Sequence, residues 1–205
     1  MGTLELARKL EGTQTVGTVM KALGKNRQGA IHAIYRLRKA GYLKTERASG
    51  GKRVYKISPS APGGTSYYDI INKKSPVQLA RSNDYIVHGR EPGPEEALVF
   101  AANSRELRVA LASLALFRSI SDWKLLYKLA KENGARRKVG ALYSLAKTMM
   151  KVRSMDKRFL RLMLPKEGES YQYIVPGLRS RNFQDIEKRW KVRLPFNKAD
   201  LEAYR

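Results

Sequence analysis

The stretch from Thr15 to Ile57 constrains the fold of this chain more than any other part of the sequence. It reads TVGTVMKALGKNRQGAIHAIYRLRKAGYLKTERASGGKRVYKI. A short apolar helix is followed by a Gly-Lys-Asn break and then by a longer basic helix. Two short strand-like runs flank Ser-Gly-Gly-Lys, where paired glycines supply the positive φ angles of a tight hairpin. The stretch therefore predicts a helix, a turn, a second helix and a hairpin, in that order.

The second helix, expected over residues 26 to 40, has two chemically different sides. Ile31, Ile34 and Leu37 recur at a spacing of three, so we expect them to face the core together with Ala30. The opposite side carries donors and aromatic groups suited to phosphates and base edges. Gly41 follows the helix at the place where a left-handed residue ends many helices.

This order of elements is typical of a winged helix-turn-helix, in which the second helix enters a DNA groove and the hairpin lies beside it. Winged helices also occur as protein-interaction modules, but a wing that binds protein has no need of such charge. We rank Arg27, Arg36 and Lys52 above Gln28 and His32, since either of the last two could be an ordinary surface residue. The residues predicted to contact DNA are Asn26, Arg27, Gln28, His32, Tyr35, Arg36, Lys39, Arg47, Lys52 and Arg53.

The net charge favours a polyanionic partner. The 205 residues include 41 Lys and Arg against 18 Asp and Glu, which gives a formal charge of +23. Double-stranded DNA is the leading candidate, because lysine and arginine release condensed counterions when they bind phosphates. Residues 1–60 hold 13 basic and 3 acidic residues, and the remainder holds 28 and 15, so both parts are basic.

Several classes of site are disfavoured by composition. The chain has no cysteine and only two histidines, which argues against disulfides and a zinc site. It lacks the motifs of a nucleophile elbow, a phosphate-binding loop or a metalloprotease, so we expect no enzymatic activity, no metal and no cofactor. No apolar run reaches about 18 residues and the N-terminus is unlike a signal peptide, so we expect a cytoplasmic protein without a membrane partner.

The predicted fold class is mainly α (α+β). We expect a winged helix-turn-helix domain over 1–58, a linker and short mixed segment over 59–94, and a helical domain over 95–205. A Pro-Glu-Glu start predicts a helix from Pro94, because proline suits the first turn and carboxylates suit the positive helix end. The other segments predicted beyond it are helices over 105–117, 122–132, 136–153, 156–164, 182–190 and 198–204, and a strand over 171–175.

The later part of the chain contains two basic clusters that form a possible second basic surface. Arg136, Arg137 and Lys138 begin a predicted helix, where they either hold phosphates or form a solvated first turn. The second cluster surrounds Trp190, which either stacks on bases or belongs to the core, the commoner outcome at helical spacing. Its basic members are Arg179, Arg181, Lys188 and Arg189, with Lys191 and Arg193 following Trp190.

Three later segments carry a family resemblance. They are GPEEAL at Gly93 to Leu98, SDWKLLYKLA at Ser121 to Ala130 and NGARRKVGALYSLA at Asn133 to Ala146. Following an N-terminal winged helix, this order resembles the AbiE-type antitoxins, also described as type IV antitoxins. The resemblance implies an autorepressor that binds its own operator and whose C-terminal domain counters a nucleotidyltransferase toxin.

The sequence leaves several functions open. We expect a transcriptional regulator, a repressor or autorepressor, that occludes or bends a promoter site. A second copy of the chain, in a homodimer, and a toxin protein are further candidate partners. An RNA-binding or architectural protein is an alternative, and it predicts weak sequence preference and comparable binding to single strands. A nuclease is disfavoured because the acids Asp69, Asp84, Asp122 and Asp156 are dispersed along the chain.

Overall fold

The structure is a computed structural model that describes residues 1–48, 50–60, 64–80, 85–88 and 90–204. Ser49 at the predicted hairpin tip, residues 61–63 of the predicted linker, Asp84 and Gly89 lie outside the described residues. About half of the chain is helical and the strands are short, which confirms the predicted class of mainly α with some β structure. No helix among the described ranges is long and apolar enough to cross a membrane.

The chain divides into two units, each with its own hydrophobic core. Unit 1 comprises Met1–Ser66 and the described part of Asn83–Glu91, and unit 2 comprises the described parts of Tyr67–Ser82 and Pro92–Arg205. The segment 59–94, predicted as a linker and short mixed segment, therefore contributes structure to both units.

Unit 1 combines three helices with a three-stranded antiparallel sheet of order β1-β3-β2. Strand β3 is central, and its Ile57 lies opposite Gly12 on one side and Leu43 on the other. A separate pair of short strands, β4 and β5, completes the unit. Its elements are α1 (Thr3–Lys9), β1 (Gly12–Gln14), α2 (Val16–Leu23), α3 (Arg27–Lys39), β2 (Leu43–Arg47), β3 (Arg53–Ile57), β4 (Thr65–Ser66) and β5 (Ile86–Val87).

Local side-chain chemistry sets the ends of α2 and α3. The Thr15 hydroxyl accepts a hydrogen bond from the Thr18 amide and caps α2, which ends at Gly24 in the left-handed region (φ 60°). The Asn26 side-chain oxygen accepts from the Gly29 amide at 2.9 Å and starts α3. After α3, Gly41 has a φ of 81°, as a turn from helix into strand requires. The predicted break between two helices is thus confirmed.

The core face of α3 differs from the predicted one. Ala30, Ala33, Ile34 and Leu37 are buried, whereas Ile31 is 46% exposed, so the prediction that Ile31 faces the core is wrong. The physical reason is the helical period: each step of three residues turns back by about 60°, so a series spaced by three drifts around the helix. Ile31 is the member of the series that is displaced furthest from Leu37 around the helix axis, so its side chain leaves the buried side.

Unit 2 is helical, and Phe117, Trp190 and Phe196 are among the largest side chains buried in its core. Two short strands, β6 and β7, pair in parallel, with Gln172 opposite Val192. Its helices and strands are α4 (Tyr67–Asn72), α5 (Pro94–Asn103), α6 (Leu107–Ser113), α7 (Trp123–Glu132), α8 (Arg136–Met149), α9 (Lys157–Met163), β6 (Gln172–Tyr173), α10 (Gln184–Trp190) and β7 (Val192–Arg193), with 3₁₀ segments over Leu114–Arg118 and Ala199–Tyr204.

The helix predicted over 105–117 is shorter and divided. Arg105 has a φ of 63°, and α6 begins only at Leu107 and changes to a 3₁₀ segment at Leu114. The Ser104 hydroxyl donates to the Ala101 carbonyl and accepts from the Glu106 amide, so this side chain ends α5 and delays the next helix. The predicted strand over 171–175 is likewise reduced to Gln172–Tyr173.

The contact between α8 and α10 gives a test of the unit 2 core. A Cβ added at Gly140 would lie 2.2 Å from the Trp190 ring, which is fully buried and whose indole nitrogen donates to the Ser144 hydroxyl at 2.8 Å. Because the ring is rigid and held on its other edge, we expect Gly140→Ala to cost about 1–3 kcal/mol despite its better helix propensity. Urea denaturation measures this cost.

Gly17→Ala is the matched control, since its new Cβ would meet only the Thr15 hydroxyl at 3.7 Å, an ordinary contact. We expect this variant to be neutral or slightly stabilised. Equal unfolding midpoints for both variants would contradict the close approach of α8 to Trp190.

Candidate nucleic-acid interface

The exposed side of α3 is basic and carries no acid, because the helix sequence RQGAIHAIYRLRK contains neither Asp nor Glu. Asn26 precedes it as the N-terminal cap, which uses the side-chain oxygen of this predicted contact residue. We name the exposed side the α3 basic face. Its members are Arg27, Gln28, Ile31, His32, Tyr35, Arg36 and Lys39.

The N-terminus of the chain lies beside one edge of this face. The Arg36 guanidinium donates to the Met1 carbonyl at 3.3 Å. A cavity of about 490 Å³ has Gln28, His32 and Arg36 along one wall and Met1 in another. These three α3 residues therefore share one edge of the α3 basic face, as their spacing of four predicts. The sequence analysis missed the part played by α1 and Met1.

The hairpin adds a second set of cations. Strand register places Arg47 opposite Arg53 at its far end, and Lys52 precedes Arg53. The Ala48 amide donates to the Lys52 carbonyl at 2.9 Å, and Gly50 and Gly51 both have positive φ, as predicted for a tight turn. Among the described residues no carboxylate lies within ion-pair distance of Arg47, Lys52 or Arg53, whereas Glu46 pairs with Lys56 at 3.0 Å.

A cavity of about 950 Å³ in unit 1, which we name the hairpin cavity, joins the end of α3 to the hairpin. Arg38 reaches across its wall, where it donates to the Thr45 hydroxyl at 2.8 Å. Sequence reasoning missed Arg38, Lys44 and Arg90 as members of this basic surface. The basic residues that line the cavity are Arg38, Lys44, Arg47, Arg53 and Arg90. The lining also includes Glu46, whose carboxylate pairs with Lys56, so the excess of basic residues around the open cavity favours an anionic ligand.

The first predicted cluster of unit 2 is occupied by the protein itself. Arg136 donates to the Leu162 and Leu164 carbonyls and pairs with Glu169. Arg137 is buried, donates to the Ser170 carbonyl at 2.7 Å and also pairs with Glu169. These hydrogen bonds and ion pairs connect α8 to the end of α9 and to the segment that follows it. The guanidinium donors that a phosphate would need are therefore already engaged within the protein.

Burial shifts the titration of this cluster. It lowers the pKa of the Arg137 guanidinium, an effect that the nearby Glu169 opposes. Burial also lowers the pKa of Lys138, whose ammonium donates to the Asn103 side chain at 3.1 Å. The pKa of Glu169 is lowered, chiefly because its carboxylate accepts a hydrogen bond from the Lys166 amide, with Arg136 and Arg137 adding to the effect.

The second predicted cluster is divided between ion pairs and solvent. The buried Glu187 carboxylate pairs with Arg179 at 3.0 Å and with Arg193 at 3.1 Å. Arg181, Lys188 and Arg189 are exposed. Trp190 is fully buried, which confirms the core alternative and removes it as a stacking platform for bases. The structure therefore does not gather the residues of the predicted second surface into one open site.

Within the described ranges no group of three or more His, Asp or Glu residues is placed to hold a metal ion. No family model, curated protein or solved structure matches the chain.

Proposed function

We propose that unit 1 is a winged helix-turn-helix that binds double-stranded DNA and that the protein acts as a transcriptional regulator. The observation that carries this proposal is the set of exposed cations on the α3 basic face, which has no acid, together with those of the hairpin. The order helix, strand, helix, helix, strand, strand, with the hairpin after α3, supports the assignment.

In this proposal α3 lies in the major groove with its N-terminal end at the base edges. Gln28 and Arg27, in the first turn, suit adenine and guanine edges respectively. The hairpin, whose Arg47, Lys52 and Arg53 have no carboxylate partner among the described residues, lies against the adjoining phosphates. The hairpin cavity holds a phosphate or a minor-groove edge beside Arg38. These backbone contacts position α3, and the base-edge contacts give specificity.

Selection from random duplex DNA tests the proposal. We expect a short consensus to be enriched, and the selected duplex to bind at least 100-fold tighter than its separated strands at 0.1–0.2 M salt. Equal affinity for single strands, with no consensus, would replace this proposal by the alternative of an architectural or RNA-binding protein. Two half-sites spaced by about one helical turn would also identify a homodimer as the bound form.

The role of an AbiE-type antitoxin stays a prediction from the resemblance of the later segments. It adds a second partner, a nucleotidyltransferase toxin, to the DNA-binding function. A gene for such an enzyme beside this one, and co-purification of the two products, would support it.

A further inference from the structure

The α3 basic face contains an apolar patch that the core does not explain. Ile31 is 46% exposed and Tyr35 is 62% exposed, and both belong to the large hydrophobic side chains that face solvent. A spacing of four places them one above the other on the helix surface. Ile31 is absent from the residues that form or cover the unit 1 core. Ile31 is thus an exposed isoleucine within a basic face and outside the core of unit 1.

A second copy of the chain is a poor partner for this patch. Arg27, Arg36 and Lys39 surround it, and α3 has no acid to oppose them. A two-fold interface at the patch would bring two identical basic faces together, and like charges brought together at an interface disfavour association. A partner for this patch therefore needs negative charge to match the surrounding cations and a small apolar group that contacts Ile31 and Tyr35.

The major groove of DNA meets both conditions. Its walls are phosphates, and the one apolar group on its floor is the C5 methyl of thymine. We propose that Ile31 and Tyr35 form a contact for a thymine methyl group, so that the protein selects A·T pairs at that position. This inference rests on the proposed function, since it requires α3 to lie in the major groove. Gln28, one turn earlier, presents an amide suited to adenine in the same or the next pair.

The test removes only the methyl group. Each thymine of the selected duplex is replaced in turn by deoxyuridine, which keeps every hydrogen-bonding group of the base. At one or two positions we expect the wild-type protein to lose about four-fold in affinity, the effect of one buried methyl group. Ile31→Ala should weaken binding to the thymine duplex by a similar factor or more and abolish the difference between thymine and deoxyuridine.

Leu125→Ala is the matched control, because Leu125 is an exposed apolar residue on α7, for which no DNA contact is proposed. It should keep the full deoxyuridine effect. Sequence-specific binding without any deoxyuridine effect, or with the same effect in Ile31→Ala, would overturn the thymine contact and leave the proposed function intact. Failure to bind any duplex would instead overturn the proposed function. A change in sedimentation caused by Ile31→Ala, without loss of the deoxyuridine effect, would identify a second copy as the partner of the patch.

Discussion

Removing three cations from α3 and the hairpin should reduce duplex binding by two orders of magnitude or more at about 0.1 M salt. The triple variant is Arg27→Ala, Arg36→Ala and Lys52→Ala, and all three residues are exposed. Each phosphate contact contributes about 0.9 to the slope of log affinity against log salt concentration. Because Arg27 is proposed to meet a base edge, we expect the loss of phosphate contacts by Arg36 and Lys52 to make the slope shallower by about 2. Affinities measured by fluorescence anisotropy from 0.05 to 0.3 M salt provide both quantities.

The matched control removes the same charge from unit 2. Lys124, Lys128 and Lys131 are exposed on α7, and their triple alanine variant lowers the net charge by the same amount. It should change the slope by less than about 0.5, because no phosphate contact is proposed for α7. A parallel loss in both variants would show that net charge alone drives binding and would contradict a specific role for α3 and the hairpin. Circular dichroism checks that both variants fold.

The second large effect concerns stability. Glu187 has 1% of its side chain exposed and accepts hydrogen bonds from Arg179, Arg193 and the Leu194 amide. Glu187→Ala would leave the half-buried Arg193 without a counter-ion and a buried amide without an acceptor. We expect a loss of about 3–5 kcal/mol in the free energy of unfolding of unit 2. The loss should lie towards the lower end of this range, because the Arg179 guanidinium can be hydrated by solvent once its ion pair with Glu187 is removed. Urea denaturation followed by tryptophan fluorescence measures it.

Two further variants test whether the loss of stability comes from removing the buried carboxylate of Glu187. Glu167 is exposed, so Glu167→Ala should stay within about 0.5 kcal/mol of the wild type. Glu187→Gln keeps an oxygen for the Leu194 amide but replaces the oxygen that accepts from Arg179 and Arg193 by an NH2 donor, so its cost should fall between those of the two alanine variants. A Glu187→Ala midpoint that matches Glu167→Ala would contradict the role of this carboxylate as the centre of the cluster.

The features of unit 1 that could be predicted are those fixed by neighbouring residues. Asn26 caps α3 through a bond to the amide three residues on, and Gly41 and Gly50 occupy positions that need positive φ. Strand β1 could not be predicted, because Gly-Thr-Gln has no apolar alternation. It becomes a strand only by pairing with β3, more than forty residues later in the chain.

The roles of site residues could likewise be predicted where neighbouring residues in the sequence determine them, and not where the partners are far away in the chain. The cations of α3 could be assigned to an exposed side from the helical period, although Ile31 was assigned to the wrong one. For Arg136 and Arg137, the sequence offered only phosphate or water as partners. Their actual partners are carbonyls and Glu169, about thirty residues away, and a charge run gives no signal of them. Glu187 was missed although it lies four residues after Phe183 and three before Trp190, on the apolar side of the helix, because a glutamate is seldom fully buried.

The hydrogen bond from Arg36 to the Met1 carbonyl has a practical consequence for every binding experiment described above. Any residues joined ahead of Met1, such as a purification tag, would emerge next to Gln28, His32 and Arg36. A polyhistidine extension there would place extra imidazoles where the groove is proposed to lie, and an acidic one would compete with phosphate. Affinities should therefore be measured on protein whose leading tag has been cleaved, or the tag itself becomes a competitor for the ligand.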